Sequence, residues 1–428
     1  MKIINVALLG CGTVGTGVYE LLEMNREKFR HLLPGRDIHV KGILVADMMK
    51  ERPGIPRDLL TDQADALLTD PEVQVVIEVM GGVGAAKDYI LTALRNGKDV
   101  VTANKDLMAT AGEEILELAN EMNRTVLFEA SVAGAIPVIS TVKNDLSSNK
   151  ITKVMGIING TTNFILTKMF KEGRSLEDVL QEAQALGYAE ADPTSDIMGL
   201  DAARKIAILA STAFNRRVVL SDVYVEGITG IQVEDIAYAR QLGSTIKLLG
   251  IACMTEDAIE VRVHPTLLSM NHPLAKVDDV YNAIYLEGNA FGDLTLVGKG
   301  AGGLPTASAV VGDLLSILKN SMNEGPVENC TCYLDTPIRK IQETSTHIYI
   351  RMIVADRTGV LAQIADAFAR NNVSIDSVIQ RKLEDGKAEL VILTDKVLNQ
   401  DMERAKEEIS NLEVVMEIKS VLRSDKED

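Results

Sequence analysis

The sequence predicts an α/β protein built as a Rossmann-type doubly wound parallel sheet, an α+β middle domain and a ferredoxin-like C-terminal domain. Three observations carry this. Strand and helix signals alternate through residues 3–134, the pattern of repeated βα units. Gly10-Cys11-Gly12-Thr13-Val14-Gly15 follows the first strand signal and opens the first helix, the context that a G-x-G-x-x-G loop needs. From His347 the element order is βαββαβ, a ferredoxin-like unit.

Taken in order, Ile3–Leu9 is a strand and Gly15–Phe29 a helix. His39–Val45 is the second strand, followed by a helix around Thr61–Leu68. The continuous apolar run Val73–Val79 suits a parallel strand buried on both faces. Ala85–Asn96 is helical and stops at Gly97. Strands follow at Asp99–Thr102 and Thr125–Phe128, with a helix at Thr110–Met122 between them. Residues 1–134 are therefore expected to form a dinucleotide-binding domain, completed by the glycine-rich run Gly298–Gly303 and a helix at Thr306–Lys319.

Residues 135–299 read as a mixed α+β domain. Ser175 and Asp178 resemble a capping box at the start of the helix Ser175–Leu186, and Gly187 stands where a helix-ending glycine would. Strands here look amphipathic, as in Ile259–His264. Residues 320–346 are polar, contain Pro326 and Pro337, and read as a linker. In 347–428 the first strand places Ile348, Ile350, Met352 and Val354 on one face.

Composition limits the function. A net charge of −17 with no basic stripe argues against nucleic-acid binding. Apolar runs are short, so neither a signal peptide nor a membrane span is expected. Cys11, Cys253, Cys330 and Cys332 are too few and too irregularly spaced for a disulfide framework, and read as free thiols in a cytoplasmic protein.

The glycine loop is expected to hold a dinucleotide, with its pyrophosphate at the helix N-terminus. Asp47, at the end of the second strand, suits a ribose 2′-hydroxyl and NAD. Lys50 and Arg52 could instead hold the 2′-phosphate of NADP or stand as solvated surface charges, so the choice between NAD and NADP stays open. Asn104 and Lys105 lie at the C-terminal end of a parallel strand, where ligands bind in such sheets, so Lys105 could face cofactor and substrate or stand as a surface loop lysine.

Glu190, Asp192, Asp196 and Asp201 crowd into Gly187–Lys205, ahead of the apolar run Ile206–Phe214. Asp201 and Lys205 stand at i and i+4 on one helix face. Such a pair is most often a surface salt bridge. On a helix this apolar it suits a cradle for a cationic ligand, with a desolvated lysine able to transfer a proton. Glu129, leaving another strand end, suggests cation binding only weakly, and a structural turn is the stronger reading of that segment.

With these motifs in view, the whole chain resembles the homoserine dehydrogenases of the monofunctional bacterial type with a C-terminal ACT domain. The resemblance rests on the glycine loop, TANK at 102–105, FEASVAGAIP at 128–137 and GIINGTTNFIL at 156–166. It also rests on GKGAGGLPTASAVVGDL at 298–314 and, most specifically, LGYAEADPTSDIMGLDAARKIAILA at 186–210. It implies reversible NAD(P)H-dependent reduction of L-aspartate 4-semialdehyde to L-homoserine, on the route to threonine, isoleucine and methionine. Lys205 is then the proton donor and Lys105 the second active-site lysine. Glu190 and Asp201 bind substrate, and Asp196 supports them. Thr13, Val14, Gly187 and Gly302 match cofactor-contact positions, joining Gly10, Gly12, Gly15, Asp47, Asn104 and Lys105 as the expected cofactor site, and the same resemblance makes 135–299 the substrate-binding and dimerisation domain. Glu129, Val132, Gly134 and Ile136 match a sodium site that uses backbone carbonyls. Ala46 stands where many NADP-using relatives have arginine, which weakens a strong NADP preference.

The ACT resemblance, carried by Asp356–Leu361 and Asn371-Asn372, implies a homodimer or homotetramer and amino-acid binding, with feedback by threonine or a purely oligomerising role as the alternatives. Two rivals are another ACT-containing amino-acid dehydrogenase and a non-catalytic amino-acid sensor. The sensor predicts decay of the glycine loop or of the Asp201–Lys205 pair, and both are intact. Asp192 has no role in any of these readings.

Overall fold

The computed structural model describes residues 2–321, 332 and 334–425. Its contacts divide the chain into two units. The first is Met1–Val154, Ala207–Leu220 and Asn282–Asp335, and the second is Met155–Ile206, Ser221–Tyr281 and Thr336–Asp428.

The first unit holds six parallel strands: β1 (Lys2–Leu9), β2 (Arg36–Leu44), β3 (Leu60–Thr61), β4 (Val73–Glu78), β5 (Asp99–Thr102) and β6 (Val126–Leu127). Their order is β3-β2-β1-β4-β5-β6, the doubly wound order in which dinucleotides bind where the winding reverses. Val6, Leu8, Val75 and Ile77 are buried in the central strands, as expected of a sheet covered on both faces. At the reversal, the loop after β1 meets the loop after β4. Gly10 sits at φ 105°, and a Cβ there would lie 2.9 Å from Val79 O, so only glycine serves. The helix Gly303–Asn320 packs on the helix Thr13–Met24, with Gly17 against the Gly303 backbone.

Several local expectations shift. The first helix breaks at Asn25 into Thr13–Met24 and Arg26–Leu32. Around residues 61–68 only Asp65–Leu68 is helical, because Leu60–Thr61 pairs with β2 as an edge strand. The helix expected from Thr110 begins at Lys105, because Asn104 caps it. The strand Ile259–Ser269 is buried along almost its whole length, not amphipathic, because both of its faces are covered and not one alone.

In the second unit the sheet runs Ser244–Met254, Ile259–Ser269, Val415–Asp425, Ser345–Ala355, Lys387–Thr394, Ile375–Lys382. The last four strands form the ferredoxin-like sheet. Ile348, Ile350, Met352 and Val354 pack with Ile364 and Phe368 of the helix Val360–Arg370 and with Met402 and Ile409 of the helix Asn399–Ser410. This sheet is not a separate body, because Arg423–Asp425 pairs in parallel with Thr266–Leu268.

On its other face Arg351 is fully buried and bonds the helix Val233–Gln241: its Nε lies 2.7 Å from Asp235 Oδ1. The described part of the stretch expected to be a linker also joins the sheet, through Ile338–Arg339 beside Ile259–Glu260. Residues 322–331 and 333 of that stretch lie outside the described residues. Cys11, Cys253 and Cys332 are free thiols, and Cys330 lies outside the described residues.

Candidate active site

The dinucleotide loop is built from two helix starts in the first unit. Gly12 caps the helix Thr13–Met24 without a side-chain hydrogen bond, and space beside it is open, since a Cβ there would meet nothing within 4 Å. Gly302, at φ 118°, likewise starts the helix Gly303–Asn320 with no side-chain cap. A Cβ on Gly303 would lie 3.0 Å from Thr13 O, so the two starts adjoin. Uncapped N–H groups and aligned dipoles favour an anion at each start. Gly10, Gly12, Thr13, Val14, Gly15 and Gly302 thus come together in a cradle that fits a pyrophosphate.

Asp47 lies in the exposed loop beyond β2. Its Oδ1 accepts from Met49 N at 2.8 Å and Lys50 N at 3.3 Å. Arg52 donates to Asp47 O at 2.9 Å and Lys50 O at 2.8 Å, so its guanidinium braces this loop.

At the end of β4, Glu78 is fully buried and accepts from Met80 N, Gly81 N and Thr102 Oγ1. Asn104 Oδ1 caps the helix Lys105–Glu121 by accepting from Leu107 N at 3.0 Å, and its Nδ2 donates to Gly82 O at 2.6 Å. Lys105 is the first residue of that helix. The Asn104 amide, expected to contact cofactor, is engaged in shaping this edge. Sequence reading passed over Glu78, although a carboxylate ending an apolar strand was the available signal.

Glu129 is buried. Its two carboxylate oxygens accept from Ile139 N at 2.8 Å and Ser140 N at 2.7 Å, and its own N–H donates to Asp313 Oδ2 at 2.8 Å. Burial pushes the Glu129 carboxyl up, and burial with the Glu129 charge pushes Asp313 well above the usual range. Ala133 and Gly134 both lie at φ 56°, and a Cβ on Gly134 would sit 2.6 Å from Gly300, which requires glycine. Ile136 O already accepts from Val138 N. Among the described residues no cluster of three or more His, Cys, Asp or Glu forms a metal site. A cation here would depend on the carbonyls of Val132, Gly134 and Ile136 beside Glu129, oxygen donors of the kind a hard ion takes.

The second unit holds the carboxylate–lysine cluster. Gly187 takes φ 74° after the helix Leu176–Ala185. Thr161 Oγ1 donates to Tyr188 O at 2.7 Å, tying that turn to the helix Gly160–Glu172. Glu190 is exposed. Asp192 Oδ1 accepts from Thr194 N and Thr194 Oγ1, so its role is to shape the turn into the short helix Thr194–Ile197.

Asp196 and Asp201 meet at one side chain that the sequence reading left unassigned: Asn159 Nδ2 donates to Asp196 Oδ1 at 2.7 Å and to Asp201 Oδ2 at 2.9 Å. Lys205 Nζ donates to the same Asp201 Oδ2 at 2.7 Å and to Ile158 O at 2.8 Å. Burial raises the Asp196 carboxyl above its usual range; the Asn159 bond opposes this and the Asp201 charge adds to it. Lys205 keeps 12% side-chain exposure while Asp201 keeps 5%, so the pair is largely desolvated and the lysine is the less buried of the two.

Known proteins match along the whole chain. Residues 137–315 match the family model described as homoserine dehydrogenase, residues 10–129 the homoserine dehydrogenase NAD binding domain, and residues 348–414 the ACT domain. A homoserine dehydrogenase of Bacillus subtilis strain 168 is 46% identical over 430 residues, covering 99% of this chain and 98% of its own. One from Corynebacterium glutamicum is 44% identical, covering 99% and 96%. The crystal structure of a homoserine dehydrogenase from Thiobacillus denitrificans superposes with a TM-score of 0.94 at 40% identity, covering 100% of this chain and 99% of its own.

Proposed function

This chain belongs to the homoserine dehydrogenase family, and we propose that it catalyses the reversible NAD(P)H-dependent reduction of L-aspartate 4-semialdehyde to L-homoserine, on the route to threonine, methionine and isoleucine. The bound nicotinamide supplies the hydride to the aldehyde carbon. As the C=O π bond breaks, its oxygen takes a proton from Lys205 Nζ; in the reverse direction Lys205 accepts that proton from the hydroxyl. Glu190 and Asp201 hold the substrate ammonium by opposite charge, with Asp196 in support. Lys105 contacts cofactor and substrate.

The observation that supports this reading most is the Lys205 ammonium. Two of its three N–H donors are directed to Asp201 Oδ2 and Ile158 O, which leaves a donor for a substrate oxygen while the headgroup is held in place. General acid–base transfer of this kind contributes about 10²- to 10⁴-fold in rate. The test is to follow NADPH and NADH oxidation with L-aspartate 4-semialdehyde. Turnover with either cofactor is expected, and its absence with both would sink the reading. The same assay compares the cofactors, since the Asp47 loop suits a ribose hydroxyl and Lys50 stands beside it.

The proposal extends to regulation and assembly. The ACT domain is proposed to bind threonine and inhibit, which titration of threonine at fixed substrate tests; unchanged rates at millimolar threonine would leave it an oligomerising module. We place a sodium ion at Val132, Gly134 and Ile136 beside Glu129, and a homodimer or homotetramer as the working state. The proposed division is a dinucleotide domain at 1–134 with 300–319, a substrate domain at 135–299, a linker at 320–346 and the ACT domain at 347–428. Among the described residues no helix is long and apolar enough to cross a membrane, and we propose a cytoplasmic location, where the free thiols stay reduced.

A further inference from the structure

The side chain that organises the carboxylate–lysine cluster is Asn159. We propose that it is a positioning residue for proton transfer: it holds Asp196 and Asp201 together and fixes the Asp201–Lys205 pair in its working geometry. The inference rests on the reading of Lys205 as the proton donor.

Hydrogen-bond capacity fixes how this amide faces. A carboxamide has two N–H donors on nitrogen and two acceptor sites on oxygen. Asn159 Oδ1 accepts from Thr162 N at 2.9 Å and from Thr162 Oγ1 at 2.9 Å. Those bonds make Asn159 the N-cap of the helix Gly160–Glu172 and decide which way its amide faces. With oxygen turned to the helix, nitrogen must face away from it, and both its donors land on carboxylates. The amide is saturated on both sides and its orientation follows from the network.

The consequence reaches Lys205 by two routes. Asn159 Nδ2 and Lys205 Nζ share one acceptor, Asp201 Oδ2, so the amide fixes the rotation of that carboxylate and limits where the ammonium can sit. Lys205 also donates to Ile158 O, the carbonyl of the peptide that leads into Asn159. The helix start, the carboxylate and the lysine are therefore held by one residue and its own backbone. Asn159 also places two N–H dipoles between two carboxylates that repel each other, which offsets part of that repulsion. An aspartate at this position would keep the cap and replace the donors with further negative charge. Serine would keep the cap but lacks a second donor and the reach.

The experiment compares Asn159→Ser, Asn159→Gly and Lys205→Ala with wild type. The readouts are steady-state oxidation of homoserine, the pH profile of kcat, cofactor affinity by fluorescence and the thermal midpoint. Both Asn159 variants retain an acceptable helix cap, so the midpoint is expected to stay near wild type. Their kcat should fall about 10- to 100-fold, short of the full acid–base contribution lost in Lys205→Ala. KM should change less than kcat, cofactor affinity should be unchanged, and the limb of the pH profile that disappears in Lys205→Ala should be displaced. A merely structural role would lower the midpoint without displacing that limb.

A folded Asn159→Ser or Asn159→Gly enzyme with wild-type kcat and pH profile overturns the inference. An inactive wild type, or an active Lys205→Ala, overturns the functional reading beneath it instead. Should neither Asn159 variant fold, the wild-type protein labelled with ¹⁵N-asparagine decides. Slowly exchanging side-chain amide protons that shift on homoserine binding support the role, and fast exchange overturns it.

Discussion

Two buried charge clusters in the second unit share the same ingredients, two carboxylates and one cation, and differ in how completely they are satisfied. In the first, Lys205 meets Asp201 while Asn159 holds Asp201 and Asp196. In the second, all three guanidinium nitrogens of Arg351 donate: to Asp235, to Glu389 Oε1 at 2.8 Å and to Gln232 Oε1 at 2.7 Å. Asp235 also accepts from Tyr349 Oη, Ser420 Oγ and Gln232 N, and Glu389 accepts from Tyr238 Oη at 2.7 Å. Burial and the Glu389 charge push the Tyr238 phenol up to about 12, so it stays a donor at neutral pH. The side chains of Arg351 and Asp235 keep 2% and 0% exposure, against 12% for Lys205. A dry, many-bonded cluster holds elements together, here the ferredoxin-like sheet and the helix Val233–Gln241. A cluster whose lysine retains a donor and some side-chain exposure can exchange a proton with a ligand.

That contrast is open to attack at several points. The largest effect belongs to Lys205→Ala, which should lower turnover at least about 10³-fold, within the range of a lost general acid, with cofactor affinity close to wild type. Near-normal turnover would erase the distinction between the clusters. Arg351→Ala should do the opposite, destabilising the second unit by about 3–5 kcal/mol because it strands buried carboxylates. Denaturant unfolding measures this, and a loss below about 1 kcal/mol would show that the saturated cluster contributes little. Tyr238→Phe removes a single bond to Glu389 and is expected to cost about 1.5–3 kcal/mol with unchanged kcat.

The smallest effect is a pH dependence. Lys247 Nζ is buried against Asn163 Oδ1 at 3.0 Å and Val277 O at 2.6 Å. Burial lowers its pKa to about 8, with Asp278 and Asp279 opposing and Lys171 adding to the fall. Between pH about 8 and the ordinary 10.5 the unfolded chain binds more protons at this group than the folded chain does. This residue's contribution to stability should therefore rise with pH across that window and be flat below it. The stability difference between wild type and Lys247→Met, measured from pH 7 to 10, reports it; a difference independent of pH would overturn the assignment.

Much of this was legible in the chain itself. The glycine loop, the apolar strand run at Val73–Val79 and the βαββαβ order are local patterns, and each appears where it was read. The helix pairing of Asp201 with Lys205 follows from i,i+4 spacing and is present at 2.7 Å. Less local features were misjudged. Ile259–His264 looked amphipathic because its polar residues Glu260 and Arg262 are satisfied inside the protein, at 3.0 Å from each other. Asn159 stands in a polar turn that could border the cleft or simply cap a helix at Thr162 or Asn163, and nothing in its neighbours announces carboxylates 37 and 42 positions further on.

The sequence by itself determined the element types, the position of the dinucleotide loop and the carboxylate–lysine helix, because periodicity, capping and glycine's backbone freedom act over a few residues. Only the tertiary structure decided which polar groups meet. It brought two uncapped helix starts together at Thr13 and Gly303, set Asn159 between two carboxylates, and joined Arg351 to Asp235 across 116 positions. Such contacts depend on which buried donors find acceptors once the core has closed, and no short stretch of chain carries that information.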